Sequence, residues 1–124
     1  MPVTSKSLLE AANAAVPKIS GKDAQEMVAN GALLVDLRDR AEIAQNGKAP
    51  GSVHIPRGSL EFKADPASAL ADKNFAFDKP VILHCASGGR AALAGKLLLD
   101  MGYQKVFNLG GLKDWAEAGG KVEK

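Results

Sequence analysis

The stretch "PVILHCASGGRAALAGKLLLDMG", Pro80 to Gly102, decides the fold. Pro80 opens it, and Val81, Ile82 and Leu83 form a short continuous apolar run, the pattern of a strand buried on both faces. A loop with two glycines follows. From Arg90 onward apolar residues return at helical spacing. Leu93 and Leu97 sit four apart, and Ala94, Leu98 and Met101 form a second stripe, until Gly102 ends the helix. A strand, a tight loop and a helix in succession are the building unit of a parallel α/β sheet.

The same alternation extends in both directions. "ALLVDLRD" (32–39) predicts a buried strand over Leu33–Asp36, and "DRAEIAQN" a short helix stopped by Gly47. Val53–Ile55 reads as a short extended piece between turn residues, and "KVFNL" (105–109) as another strand. "GGLKDWAEAG" predicts a last helix closed by Gly119. Between Ser59 and Asp78 the pattern predicts one or two short helices. Near the start, Ser7 and Glu10 have capping-box spacing, which predicts a helix over 8–15, ended by Pro17. Ser20 offers an N-cap for the next helix, with Asp23 in its first turn and Gly31 just past its end. The expected class is α/β: a three-layer domain with a mostly parallel central sheet and helices on both faces.

Composition narrows the function. With 124 residues the chain is the size of one domain with one hydrophobic core. A net charge of +2, with no block of like charges, gives no reason to expect a nucleic-acid partner. The apolar runs fall far short of the roughly 20 residues that span a bilayer, so no membrane partner is expected. "MPVTSKSLLEAANAAV" lacks the charged and continuous apolar regions of a signal peptide. A cytoplasmic location is therefore the expectation. An exported form that has lost its leader stays open, with Met1 counting against it. Cys85, the single cysteine, forms no internal disulfide and builds no four-cysteine zinc site. No metal or cofactor motif is present.

Cys85 is the candidate nucleophile. A lone cysteine in a small domain is as a rule a buried hydrophobe inside an element. This one ends a strand and opens "CASGGR", beyond the carboxyl end of a strand, where α/β sheets place ligands. Gly88 and Gly89 permit backbone conformations that strain other residues, so successive N–H groups can turn inward as an anion-binding nest. The helix that follows adds the positive end of its dipole. Such surroundings favour a thiolate, the nucleophilic form of cysteine.

"HCASGGRAA" resembles the active-site loop of the rhodanese family, whose single-domain members carry Cys-x-Ser-Gly-x-Arg. Two further regions match that family in order: "LLVDLRDRAEIAQNGKAPGSVHIPRG" and "VFNLGGLKDWAEAG". Lys48 and Ala49 depart from the family's usual histidine and isoleucine there. The resemblance covers about residues 18–120 and implies a rhodanese-like domain over 18–124, with residues 1–17 as an N-terminal helical extension.

What the resemblance implies is a sulfurtransferase. Cys85 would take the sulfane sulfur of a small anionic donor such as thiosulfate, become a persulfide, and pass the sulfur to cyanide or a thiol. The loop N–H groups of Ala86, Ser87, Gly88, Gly89 and Arg90 would hold the persulfide anion. The chain has no second cysteine to resolve the persulfide, so the acceptor comes from outside, and a protein acceptor is one option.

Arg90 has two readings, attracting the donor or shaping the loop through a carboxylate, with Asp36 as the structural partner. Arg38 and Arg40 either enrich the mouth with positive charge or are solvated. Ser87 is expected to bond within the loop. His84 is expected to pack behind the loop, since adjacent strand residues face opposite ways. His54, Trp115 and Phe107 read as structural.

Two rival classes stand beside sulfur transfer. Dual-specificity phosphatases that resemble rhodaneses in fold use His-Cys-x-x-x-x-x-Arg, and His84 and Cys85 match its start. Here the arginine comes one residue sooner, at Arg90, with Ala91 in the next position. A smaller cradle suits one sulfur atom and not a phosphoryl group with three equatorial oxygens. Arsenate reduction belongs with this alternative. The other class is a docking or persulfide-carrier module; retention of Cys85 argues against a cradle that has lost its chemistry.

Overall fold

In the computed structural model, which describes residues 2–124, four strands alternate with helices. The strands are β1 (Leu33–Asp36), β2 (Val53–His54), β3 (Val81–Cys85) and β4 (Val106–Gly111). They form one sheet in the order β2-β1-β3-β4, and every pairing is parallel. The helices are α1 (Ser5–Ala15), α2 (Gly21–Ala29), α3 (Arg40–Asn46), α4 (Leu60–Ala64), α5 (Gly89–Met101) and α6 (Leu112–Glu117).

The two central strands are buried along their whole length, as a sheet covered on both faces requires. Side chains alternate between the faces. Leu33, Val35, Val81 and Leu83 join Leu37, Ile55, Leu60, Leu98 and Val106 in the larger core, under α4 and α5. Leu34 and Ile82 join Ala24, Leu109, Leu112 and Trp115 on the other face, under α2 and α6. Each fully buried Leu, Ile or Val contributes about 1.5–3 kcal/mol of transfer free energy. α1 lies against α5 on the larger core, and Val16 just after it is buried there.

The expected order of elements holds, with local corrections. α1 begins earlier, because Thr4 and not Ser7 is its N-cap; Ser7 is the third helical residue and closes the capping box. The region 59–78 has a 3-10 turn at Arg57–Ser59, then α4, and no second helix. Asp65, Ser68 and Asp72 each accept a backbone N–H two residues on, which holds that chain in turns. β3 includes Cys85, and β4 runs on to Gly111, since the two strands stay paired through Cys85↔Gly111. Phe107 is half-buried, while Trp115 is buried as expected.

Candidate active site

Between β1 and β3 the strand order reverses: the chain goes from β1 to β2 on one side, then crosses to β3 on the other. In open α/β sheets such a reversal leaves a crevice beyond the carboxyl ends of the strands. Here those ends are Asp36 and Cys85. The crevice is therefore a product of topology, and the chemistry-bearing residues are those that end β1 and β3.

Cys85 is buried within its residue envelope, at 1% exposure, and lines a cleft of about 350 Å³. Its Sγ accepts a hydrogen bond from the Gly88 N–H at 3.0 Å. Gly88 has φ 98° and ψ −9°, the left-handed region, where a side chain would add strain. It is also the N-cap of α5, a helix start with no side-chain cap. The next N–H groups, of Gly89, Arg90 and Ala91, begin the helix and have no intrahelical acceptor. The sulfur thus faces the positive end of a helix of 13 residues.

β4 supports this loop from the side. The β3–β4 register shifts by one residue, from Leu83↔Asn108 to His84↔Gly110, so Leu109 is extra. The shift brings Gly111 beside Cys85. A Cβ on Gly111 would lie 2.4 Å from the Ala86 carbonyl oxygen, so only glycine permits this approach.

The charged groups pair differently from the sequence expectation. Arg90 does not bond Asp36. It makes two hydrogen bonds to Glu42, at 2.9 and 2.8 Å. Asp36 is already engaged by Arg38, whose Nε and Nη2 donate at 3.0 and 2.8 Å. Arg38 is not solvated: it is 2% exposed, and its Nη2 also donates to the Gly47 carbonyl. Arg40 is exposed. Burial pushes the Asp36 carboxyl up, but the Arg38 bonds outweigh it and leave the carboxyl below its ordinary range. The Arg90 guanidinium holds Glu42 low in the same way. Both arginines near the sulfur are paired with carboxylates, which leaves backbone N–H groups and the exposed Lys113 at the cleft rim to attract an anion.

Ser87 is exposed, and its hydroxyl makes no hydrogen bond within the loop among the described residues, contrary to expectation. Ala86 is exposed at the mouth, while Gly88 is buried. His84 is buried behind the loop, with neither ring nitrogen hydrogen-bonded among the described residues. Burial lowers its pKa and keeps the ring neutral. His54 meets the Arg38 carbonyl through Nε2, a structural contact.

Sequence reasoning missed Glu42. Its only local signal is the Asp39–Glu42 capping box of α3, which says nothing of a partner 48 residues away. It also missed the apolar walls of the cleft, Leu112, Ala116 and Val122. Val122 is held there by the C-terminal segment. The Trp115 indole donates to the Lys121 carbonyl at 2.9 Å, and Lys48 pairs with Glu123 through two backbone bonds of 2.8 Å. Lys48 thus anchors this segment through its backbone, a role that its departure from the family pattern does not alter. A larger hollow of about 490 Å³ opens on the far side of the loop, past Leu9 and Asn108, and does not include Cys85. The smaller cleft is the candidate site.

The family model described as the rhodanese-like domain matches residues 20–118. The thiosulfate sulfurtransferase GlpE of Haemophilus influenzae (strain PittEE) is 34% identical over 103 residues, covering 82% of this chain and 89% of that protein. The solution structure of a homodimeric polysulfide-sulfur transferase from Wolinella succinogenes is similar at a TM-score of 0.75 and 33% identity, covering 95% of this chain and 85% of that one. A Rhodopseudomonas palustris protein of unknown function, described as a possible tyrosine phosphatase, is similar at a TM-score of 0.87 and 40% identity, covering 99% of both chains. With the parallel sheet and the cysteine loop beyond β3, these likenesses identify the chain as a member of the rhodanese-like family, an enzyme of its sulfurtransferase type.

Proposed function

We propose that the protein moves a sulfane sulfur from a small anionic donor such as thiosulfate, through a persulfide on Cys85, to cyanide or a thiol. The observation that carries this reading is the Gly88 N–H held 3.0 Å from Sγ at the start of α5. The Cys85 thiolate attacks the outer sulfur of thiosulfate. A new S–S bond forms, the old one breaks, and sulfite leaves with its electron pair. The persulfide anion extends into the cradle of N–H groups that starts at Gly88. Cyanide or a thiolate then attacks the terminal sulfur and takes it, and the Cys85 thiolate returns. Two half-reactions on one enzyme predict ping-pong kinetics.

The test is intact mass after incubation with thiosulfate, followed by addition of cyanide. A gain of one sulfur, mapped to Cys85 and released as thiocyanate, is the expected result. Unchanged thiocyanate formation by Cys85→Ser defeats the reading.

The likeness to a possible tyrosine phosphatase favours one rival reading. The loop from Cys85 to Arg90 is one residue shorter than the phosphatase pattern, and both terminal nitrogens of Arg90 are bound to Glu42, which turns its two-pronged end away from a phosphate. Turnover of an aryl phosphate, lost in Cys85→Ser, would instead support the phosphatase. The apolar walls Leu112, Ala116 and Val122 leave a surface on which the stem of a thiol acceptor can pack, a protein cysteine included.

A further inference from the structure

Asn108 is a polar residue buried at 4% exposure, and it belongs to no part of the chemistry described so far. Both ends of its side-chain amide are engaged. Nδ2 donates to the Gly88 carbonyl at 3.1 Å, and Oδ1 accepts the Gly110 N–H at 2.8 Å. Its backbone is engaged as well: the N–H donates to Pro17 at 2.8 Å, and the carbonyl accepts from Ile19 at 3.1 Å. Asn108 sits at the last position before the register shift in β4, from which its amide spans to the cysteine loop.

Gly88 is the residue on which this acts. Its N–H is the one that meets Cys85 Sγ, and its left-handed backbone is what aims that N–H inward. A glycine holds such a conformation weakly, because it has many others. The Gly88 carbonyl accepts the Ala92 N–H of α5 at 2.9 Å and, from a second side, the Asn108 amide. The two bonds together fix the peptide that follows, and the N–H on the other side of Gly88 is then held in line. We propose that Asn108 is a positioning residue for sulfur transfer: through the Gly88 carbonyl it keeps the Gly88 N–H directed at the Cys85 sulfur. It touches no substrate itself. The proposal rests on the sulfur-transfer reading for its consequence in turnover, but its geometric content concerns the free thiol alone.

The experiment uses the full chain as wild type, Asn108→Asp and Asn108→Ala. The aspartate keeps an acceptor for Gly110 but loses the donor to Gly88. The alanine loses both and covers the case in which the aspartate variant does not fold. Two rates are read on protein shown folded by its thermal melt. One is alkylation of Cys85 by iodoacetamide at neutral pH, followed by intact mass without any sulfur donor. The other is kcat/KM for thiosulfate. Both are expected to fall about tenfold, the weight of one hydrogen bond to a charged group. A purely structural role would lower the melting temperature and leave the alkylation rate of the folded protein alone. An alkylation rate equal to or above that of wild type in a folded variant overturns the proposal. Wild type that alkylates at Cys85 but takes up no sulfur defeats the sulfur-transfer reading, and the alkylation ratio still decides the role of Asn108.

Discussion

Among single residues, the arginines behave least as their positions suggest. Arg38 and Arg90 both lie close to Cys85, yet each is bound to its own carboxylate. Removing Arg38 leaves Asp36 buried and unpaired, so Arg38→Ala is expected to cost about 3–5 kcal/mol in urea unfolding. The Arg90–Glu42 pair is partly exposed, at 37% and 26% for the two side chains, and belongs to the weak class of about 0–1 kcal/mol. Glu42→Gln should therefore barely move stability. It should lower turnover severalfold, because Arg90 belongs to the cysteine loop and loses its anchor. The pH sign follows from the depressed Glu42 carboxyl: what stability the pair contributes is present above the ordinary glutamate value near pH ~4.3. It is lost as pH falls through the lower folded value. Glu42 itself was not legible in the sequence, since nothing local links residue 42 to residue 90.

At the scale of elements, β3, its loop and α5 were legible because each states its own geometry: a buried apolar run, paired glycines, then helical stripes. β4 was legible as a strand but not in its extent or its register shift. An extra residue such as Leu109 has no composition of its own; it is defined only by what lies opposite. The shift decides how close β4 comes to the cysteine loop. Gly111→Ala is expected to keep the sheet, displace Ala86, and reduce sulfur transfer by an order of magnitude or more, read as thiocyanate formation alongside far-UV circular dichroism. Leu98→Ala, under the larger core, is expected to cost about 2–5 kcal/mol of stability in denaturant titration.

For the molecule as a whole, acid stability is governed by groups beneath the site. His84 is buried with a lowered pKa, chiefly from burial, so the unfolded chain takes up a proton that the folded one resists. Stability should hold above the ordinary histidine value of about 6.5 and decline as pH falls below it. Loss of the Asp36 contribution adds to this only at much lower pH, below the ordinary aspartate range. Thermal melts between pH 7 and 5 check this: His84→Leu should flatten the decline, and an unchanged slope would exclude His84 as its cause. Fold class was open to sequence reading because alternating strands and helices leave few parallel arrangements. The charge pairing inside the crevice was not, because it depends on which chain segments the strand reversal places side by side.

The C-terminal segment that folds back along Lys48 has a practical outcome. Val122 forms a wall of the cleft, and the paired backbones of Lys48 and Glu123 hold it in place. Bulk introduced at this wall, as by Val122→Trp, therefore narrows the opening above Cys85. A bulky thiol-bearing acceptor should feel that crowding, whereas cyanide should pass unhindered.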